Sequence, residues 1–145
     1  MKSVLIISPK EDEARLIRES LPSDYQVENA DSITNALDLH RQCSFDVIFS
    51  DLILLRDSAE TETVAEAIKL FREMNPLAEI LILTSKAFIR DTVKAVKAGA
   101  SDYLTYPIDP SEVRLVIESA NASHTKNLEL DYLRDQFWKP EWLDI

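Results

Sequence analysis

The chain is poor in several things, and each shortage excludes something. Among its 145 residues there is one cysteine, Cys43, and one glycine, Gly99. A single thiol allows no internal disulfide, so a reducing, cytoplasmic setting is expected. A single glycine leaves no glycine-rich loop of the kind whose backbone amides cradle nucleotide phosphates, which sets aside nucleotide-binding enzymes. No apolar run approaches the ~20 residues needed to span a bilayer. Met1-Lys2-Ser3 ahead of Val4-Leu5-Ile6-Ile7 is too short for a secretory signal and reads as the start of a strand. Positive charge is scarce as well: 16 Lys+Arg against 26 Asp+Glu give a net charge of −10. Such a surface repels a nucleic-acid backbone or an anionic membrane, so the expected partners are other proteins.

What is present is an ordinary globular balance, 46% hydrophobic and 29% charged, enough for one domain with a sizeable core. Short apolar runs alternate with amphipathic stretches. Strands are predicted at Val4–Ile7, Tyr25–Glu28, Val47–Phe49, Ile80–Leu83 and Tyr103–Leu104. Helices are predicted near Glu11–Leu21, Ile33–Gln42, Thr63–Met74, Ile89–Ala98 and Ser111–Ala120. The first, third and fourth runs are almost purely apolar, as strands buried on both faces of a parallel sheet must be. Strict strand–helix alternation of this kind implies a doubly wound α/β sandwich of three layers. In such sheets the functional crevice opens beyond the carboxyl ends of the strands. That rule brings Ser8, Asp51, Thr84 and Tyr106 to one mouth.

Helix punctuation is legible too. Asp109-Pro110-Ser111-Glu112 supplies an N-cap, a proline at the first helical position and a capping-box glutamate. Ser8-Pro9-Lys10-Glu11 reads the same way, with Ser8 as cap and Glu11 reaching back. Gly99 closes the helix that ends at Lys97-Ala98. His40 and His124 have no partner cluster suggesting a metal or a catalytic base, and Cys43 reads as a small buried or partly buried hydrophobe. Beyond the fifth helix, Leu130, Leu133 and Phe137 fall on one side of an amphipathic stretch that Pro140 should stop. An isolated helix of that length is marginal in water and needs a surface to pack on. The favoured surface is the same helix of a second chain, in a homodimer; the alternative is its own core.

Three pieces carry a family resemblance. Phe45-Asp46-Val47-Ile48-Phe49-Ser50-Asp51-Leu52 resembles the third strand of bacterial two-component response-regulator receivers (CheY-like), with Asp51 where the phosphoacceptor sits. Ile80-Leu81-Ile82-Leu83-Thr84-Ser85 is similar to the fourth strand and its hydroxyl residue, and Ala95 through Leu104 to the signature of the fourth helix and fifth strand. The likeness covers roughly residues 2–121. It implies a flavodoxin-like (βα)5 sandwich with sheet order 2-1-3-4-5, a receiver at residues 1–121 and a helical linker or extension at residues 122–145. It also implies roles: Asp51 as phosphoacceptor, Thr84 as phosphoryl contact and Tyr103 as the switching aromatic.

The chain departs from the family at three places. Ser8-Pro9 replaces the acidic pair that helps to hold a metal, Tyr106 replaces the lysine before the retained Pro107, and Leu52–Asp57 lacks the usual Pro-Gly turn. A divalent metal is left with Asp51, a carbonyl near Ile53 and water, or the weak substitutes Glu11 and Asp12. Magnesium is therefore expected to bind weakly if at all, no other cofactor is expected, and no residue is assigned a catalytic role. The expected function is signal transduction by an atypical receiver, a pseudo-receiver acting through protein contacts or dimerisation on an output domain. The alternative is a working phosphoacceptor switch, a phosphoprotein charged on Asp51 by a histidine kinase. A small flavodoxin-like redox protein is set aside for want of a phosphate loop. The extension resembles the dimerising linker of NtrC-type transcription activators, which makes transcription regulation the expected output of a longer protein. Its expected partners are a histidine kinase or other signalling protein, that output domain, and a second copy of the chain held through Leu130, Leu133 and Phe137.

Overall fold

A computed structural model describes residues 2–120. Leu130, Leu133, Phe137 and His124, for which roles are expected above, lie outside the described residues. Two units are distinguished, Met1–Arg114 and Leu115–Ile145. The first holds all five strands, β1 (Ser3–Ile7), β2 (Gln26–Ala30), β3 (Val47–Asp51), β4 (Glu79–Thr84) and β5 (Asp102–Thr105). All pair in parallel, in the order β2-β1-β3-β4-β5 expected from the sequence, with helices on both sides of the sheet. The central strands β1, β3 and β4 are the apolar ones, and Val47 through Asp51 are all buried. The outer strands β2 and β5 expose Gln26, Glu28, Asn29, Asp102 and Tyr103.

The helices are α1 (Glu11–Ser20), α2 (Ile33–Cys43), α3 (Leu52–Arg56), α4 (Val64–Met74) and α5 (Ile89–Lys97), the last preceded by a 3₁₀ turn at Lys86–Phe88. Residues 110–120 form a further helix, α6. One side of the sheet buries Leu5, Ile7, Ile48, Ile80 and Ile82 with Ala36 and Leu37 of α2, Ile68 and Phe71 of α4, and Ala95 of α5. Side chains on a helix meet the sheet every three to four residues, and these spacings meet it. α2 is capped by Ser32, whose hydroxyl accepts from the Asn35 amide, and α4 by Thr63, which accepts from the Glu66 amide. Asp109 caps α6 through the Ser111 amide at 2.9 Å. Gly99 has φ +126, a backbone region that side chains disfavour, and closes the turn between α5 and β5.

The structure differs from the local readings at three places. Ser8 is not the N-cap of α1: Lys10, two residues later, is, with no side-chain cap, and the Ser8 hydroxyl accepts the Lys10 amide at 3.1 Å. Cys43 is exposed at the end of α2, neither buried nor partly buried. His40 joins no metal-ligating cluster among the described residues, but it is held by backbone groups. It is 1% exposed, its Nδ1 accepts the Phe45 amide at 3.1 Å, and its Nε2 lies 3.2 Å from the Phe71 carbonyl. An acceptor at Nδ1 leaves the proton on Nε2, so the ring is the neutral tautomer that donates to Phe71. Burial pulls its pKa below the ordinary value, against the raising effect of the Phe71 carbonyl. The third difference is α3, a helix at Leu52–Arg56 where none is predicted.

Candidate functional site at the carboxyl edge of the sheet

Parallel register places the site. Ser50 pairs with Ile7 on one side and Ile82 on the other, and Ile82 pairs with Tyr103. One residue farther, Ser8 and Asp51 leave neighbouring strands at the same level, while Thr84 ends β4 beside Thr105. The Tyr106 amide donates to the Thr84 carbonyl at 2.7 Å, so the chain leaving β5 is held against β4 as it turns into the cis Tyr106–Pro107 bond. All four expected residues reach one mouth.

They do not form one cluster there, but two. In the first, Asp51 is 3% exposed and both of its carboxylate oxygens are engaged. Oδ1 accepts the Leu54 amide at 3.1 Å, which makes Asp51 the N-cap of α3. Oδ2 accepts the Tyr106 hydroxyl at 2.8 Å. That hydroxyl also lies 3.2 Å from Ser8 Oγ, and the Lys10 ammonium sits over the Tyr106 ring, 4.0 Å from its centroid. The lysine missing after β5 is thus replaced by a phenol that bonds the aspartate, with an ammonium from the α1 approach stacked on its face. Burial raises the Tyr106 pKa above its ordinary value. The Ser8 bond opposes that, while the bond to Asp51 and the negative charges of Asp51 and Glu13 add to it.

The second cluster surrounds Thr84, 2% exposed. Its hydroxyl donates to the Ser85 carbonyl at 3.3 Å and accepts from the Thr92 hydroxyl of α5 at 3.1 Å. Thr92 shares its proton with the Phe88 carbonyl at 2.9 Å. Thr84 therefore spends its hydrogen bonds on the β4–α5 connection. Tyr103, the switch candidate on β5, has 39% of its surface exposed.

Two contributors escaped sequence reasoning. Glu13, rather than Glu11 or Asp12, reaches the site region: its Oε2 accepts the Ile108 amide at 2.9 Å, while Glu11 and Asp12 are exposed on the first turn of α1. The signal available was three consecutive acids, of which only the third is one step from the buried Ala14. The other is α3, where Leu52 and Leu55 are buried and the Ile53 carbonyl accepts the Asp57 amide at 2.9 Å. Its signal was Asp51 itself, a strong N-cap ahead of leucines with high helix propensity. Among the described residues no group of three or more His, Cys, Asp or Glu side chains could hold a metal ion. Nor is any described helix long and apolar enough to cross a membrane.

Comparison with known proteins points one way. The family model for the response regulator receiver domain matches residues 4–118. The transcriptional regulatory protein ZraR of Escherichia coli (strain K12) is 32% identical over 107 residues, which make up 74% of this chain and 23% of that protein. The chemotaxis protein CheY of Halobacterium salinarum is 28% identical over 114 residues, covering 77% of this chain and 90% of that one. Among solved structures, NtrX from Brucella abortus superposes with a TM-score of 0.76 at 20% identity, over 93% of this chain and 30% of that one. CheY4 of Vibrio cholerae gives 0.68 at 24% identity, over 83% of this chain and 98% of that one. These two are likenesses of fold alone. This chain spans 22% to 30% of the length of the curated transcriptional regulators it matches.

Proposed function

The chain belongs to the response regulator receiver family of two-component systems, and from that premise we propose that it is an atypical receiver, one that passes its signal by protein contact or dimerisation rather than through a phosphoryl group on Asp51. The observation that carries this reading is the engagement of Asp51 on both oxygens, by the Leu54 amide and the Tyr106 hydroxyl. A carboxylate that attacks a phosphoryl donor needs an oxygen free to attack, and cations to neutralise the oxygens in transfer. Here one oxygen caps a helix, and the other holds a neutral phenol where the family has an ammonium.

The family's divalent ion fits poorly. Magnesium demands hard oxygen ligands in near-octahedral array. Ser8 and Pro9 occupy the acid positions, and the Ile53 carbonyl is spent inside α3. No step of the proposed function runs through a metal. The rest of the reading follows the relatives, in which the matched region is a minor part of a longer regulator. A histidine kinase or other signalling protein would act on this domain, and an output domain controlling transcription would follow it in the cytoplasm. The segment bearing Leu130, Leu133 and Phe137 would pair two copies.

Intact-mass measurement after incubation with acetyl phosphate and magnesium tests the central claim. No stoichiometric gain is expected. A gain of one phosphoryl group that disappears in Asp51→Asn would establish the phosphoacceptor switch instead.

A further inference from the structure

The amino-terminal end of the sheet, opposite the Asp51 mouth, is closed by a titratable group that the proposed function does not use. His40 lies on the buried face of α2, its ring between those of Phe45 and Phe71, with centroids 6.1 and 5.7 Å away. Its Nδ1 accepts the Phe45 amide, which has no other acceptor among the described residues. Its Nε2 donates to the Phe71 carbonyl in the last turn of α4. One neutral imidazole thus ties α2, the residues leading into β3, and α4 together. The turn it holds is not relaxed. Ser44 has φ 53 and ψ 100, a conformation unfavourable for a residue with a Cβ, and its amide donates to the His40 carbonyl at 2.9 Å. Asn75, just after α4, extends the tie: its Nδ2 donates to the Phe45 carbonyl at 3.2 Å and its Oδ1 accepts the Leu77 amide at 3.1 Å. Leu77 itself is exposed.

We propose that His40 is the proton receptor of a latch on the α2–β3 turn: on taking up a proton it releases the Phe45 amide, and the turn opens to bare Phe45 at the edge that already exposes Leu77. The reason is one of donors and acceptors. A neutral imidazole offers one of each, and both are taken by backbone groups; an imidazolium has two donors and no acceptor. Protonation sets two N–H groups against each other at Phe45, while the bond to Phe71 survives. No neighbouring charge offsets this. Asp38 and Arg41 of α2 pair with each other at the surface, and Glu66, Lys69 and Glu73 of α4 are exposed. Arg72 is turned to the Pro76 and Gly99 carbonyls, and Asp46 to Ser3. β1 has no charged side chain, and Glu28 of β2 is exposed. The faces of Phe45 and Phe71 attract a cation, but they replace neither the lost acceptor nor the water a charge requires. Burial holds the His40 pKa below its ordinary 6.5, so the latch is closed at neutral pH and loosens as pH falls below that value.

Amide hydrogen exchange of the full chain, followed by NMR without phosphodonor or divalent cation, tests this, each rate being taken relative to an unstructured peptide at the same pH. From about pH 7.5 to about pH 5 the protection of Phe45 should fall about fivefold or more, within the ceiling of about 30-fold that one histidine with an open-state pKa of 6.5 allows. Phe49, in the middle of β3, should keep its protection. His40→Gln retains an acceptor for Phe45 and a donor for Phe71 but does not titrate, so its Phe45 protection should be the same at both ends of the range. Imidazole nitrogen shifts of the parent chain give a second reading that needs no variant. His40 should be the Nε2–H tautomer at neutral pH, and its titration should coincide with the movement of the Phe45 amide resonance. The proposal is overturned if Phe45 keeps its protection in acid, or if His40→Gln is still acid-sensitive there. It is overturned as well if Phe49 loses protection in parallel, which would make His40 a residue of global stability alone, or if His40 titrates without moving Phe45. None of these outcomes bears on whether Asp51 takes a phosphoryl group.

Discussion

Replacing Asp51 by alanine is expected to destabilise the domain by about 2 kcal/mol, and the figure follows from what the carboxylate holds. Losing the N-cap of α3 costs about 1 kcal/mol. The Tyr106 hydroxyl loses its acceptor but keeps Ser8 as a partner, 3.2 Å away, so its share lies at the low end of the ~1–3 kcal/mol for an orphaned buried group. Asp51→Asn should cost much less, under ~1 kcal/mol. The asparagine oxygen can still accept from Leu54, and its amide can donate to a phenol that then donates to Ser8. Tyr106→Phe leaves the cap intact and should cost about 1 kcal/mol. Urea unfolding at neutral pH, compared at constant m, reads all three. In a double-mutant cycle Asp51→Ala and Tyr106→Phe should couple by about 1 kcal/mol, since they share one bond. If Asp51→Ala unfolds within ~0.5 kcal/mol of the parent, as an ordinary surface substitution does, or the cycle is additive, Asp51 is not an anchor and the reasoning fails.

Three further outcomes are expected. The Tyr106 pKa lies above the usual tyrosine value of 10, so its neutral form favours the fold: that contribution is complete below pH 10 and is lost as pH rises beyond it. One of the four tyrosines should therefore ionise late, together with alkaline unfolding, and ultraviolet titration of Tyr106→Phe should lack that step. His40 runs in the opposite direction, because its pKa lies below the unfolded value of 6.5. Its contribution is complete above that value and lost as pH falls through it, so urea midpoints should decline from about pH 7 to about pH 5. His40→Leu, less stable at neutral pH, should decline less over that interval. Ending the chain after Ala122 should turn a dimer into a monomer by light scattering, and a truncated chain that still dimerises would clear Leu130, Leu133 and Phe137 of that role.

The sheet was legible because its signal is redundant. Three apolar runs too short for buried helices, separated by amphipathic stretches, leave little choice but a doubly wound parallel sheet, and the sheet then gathers Ser8, Asp51, Thr84 and Tyr106 unaided. What the residues do to one another was not legible. α3 is too short to show a 3.6-residue period, so Leu52-Ile53-Leu54-Leu55 read as an irregular loop and the capping role of Asp51 went unseen. Ser8-Pro9-Lys10-Glu11 has the composition of a capping box, but the extended conformation of Lys10, φ −98 and ψ 96, delays the helix and frees Ser8 to meet Tyr106. His40 met Phe45 and Phe71 only through tertiary packing, 31 residues apart in the latter case, which no local pattern encodes.

The rims of the sheet carry a consequence for how copies of this chain can meet. Among the described residues no strand pairs with the outer edge of β2 or β5, so each edge offers backbone donors and acceptors on which another strand could grow. Glu28 and Asn29 stand on one rim and Asp102 on the other, all exposed. Two like rims brought together would set carboxylate against carboxylate, and opposed like charges destabilise strand pairing. Edge-to-edge growth into a continuous ribbon is thereby discouraged at both ends, although the strands between are as apolar as those of many fibril-forming segments. Any association of folded copies is therefore expected at helix surfaces, where a finite pair can close instead of an open stack.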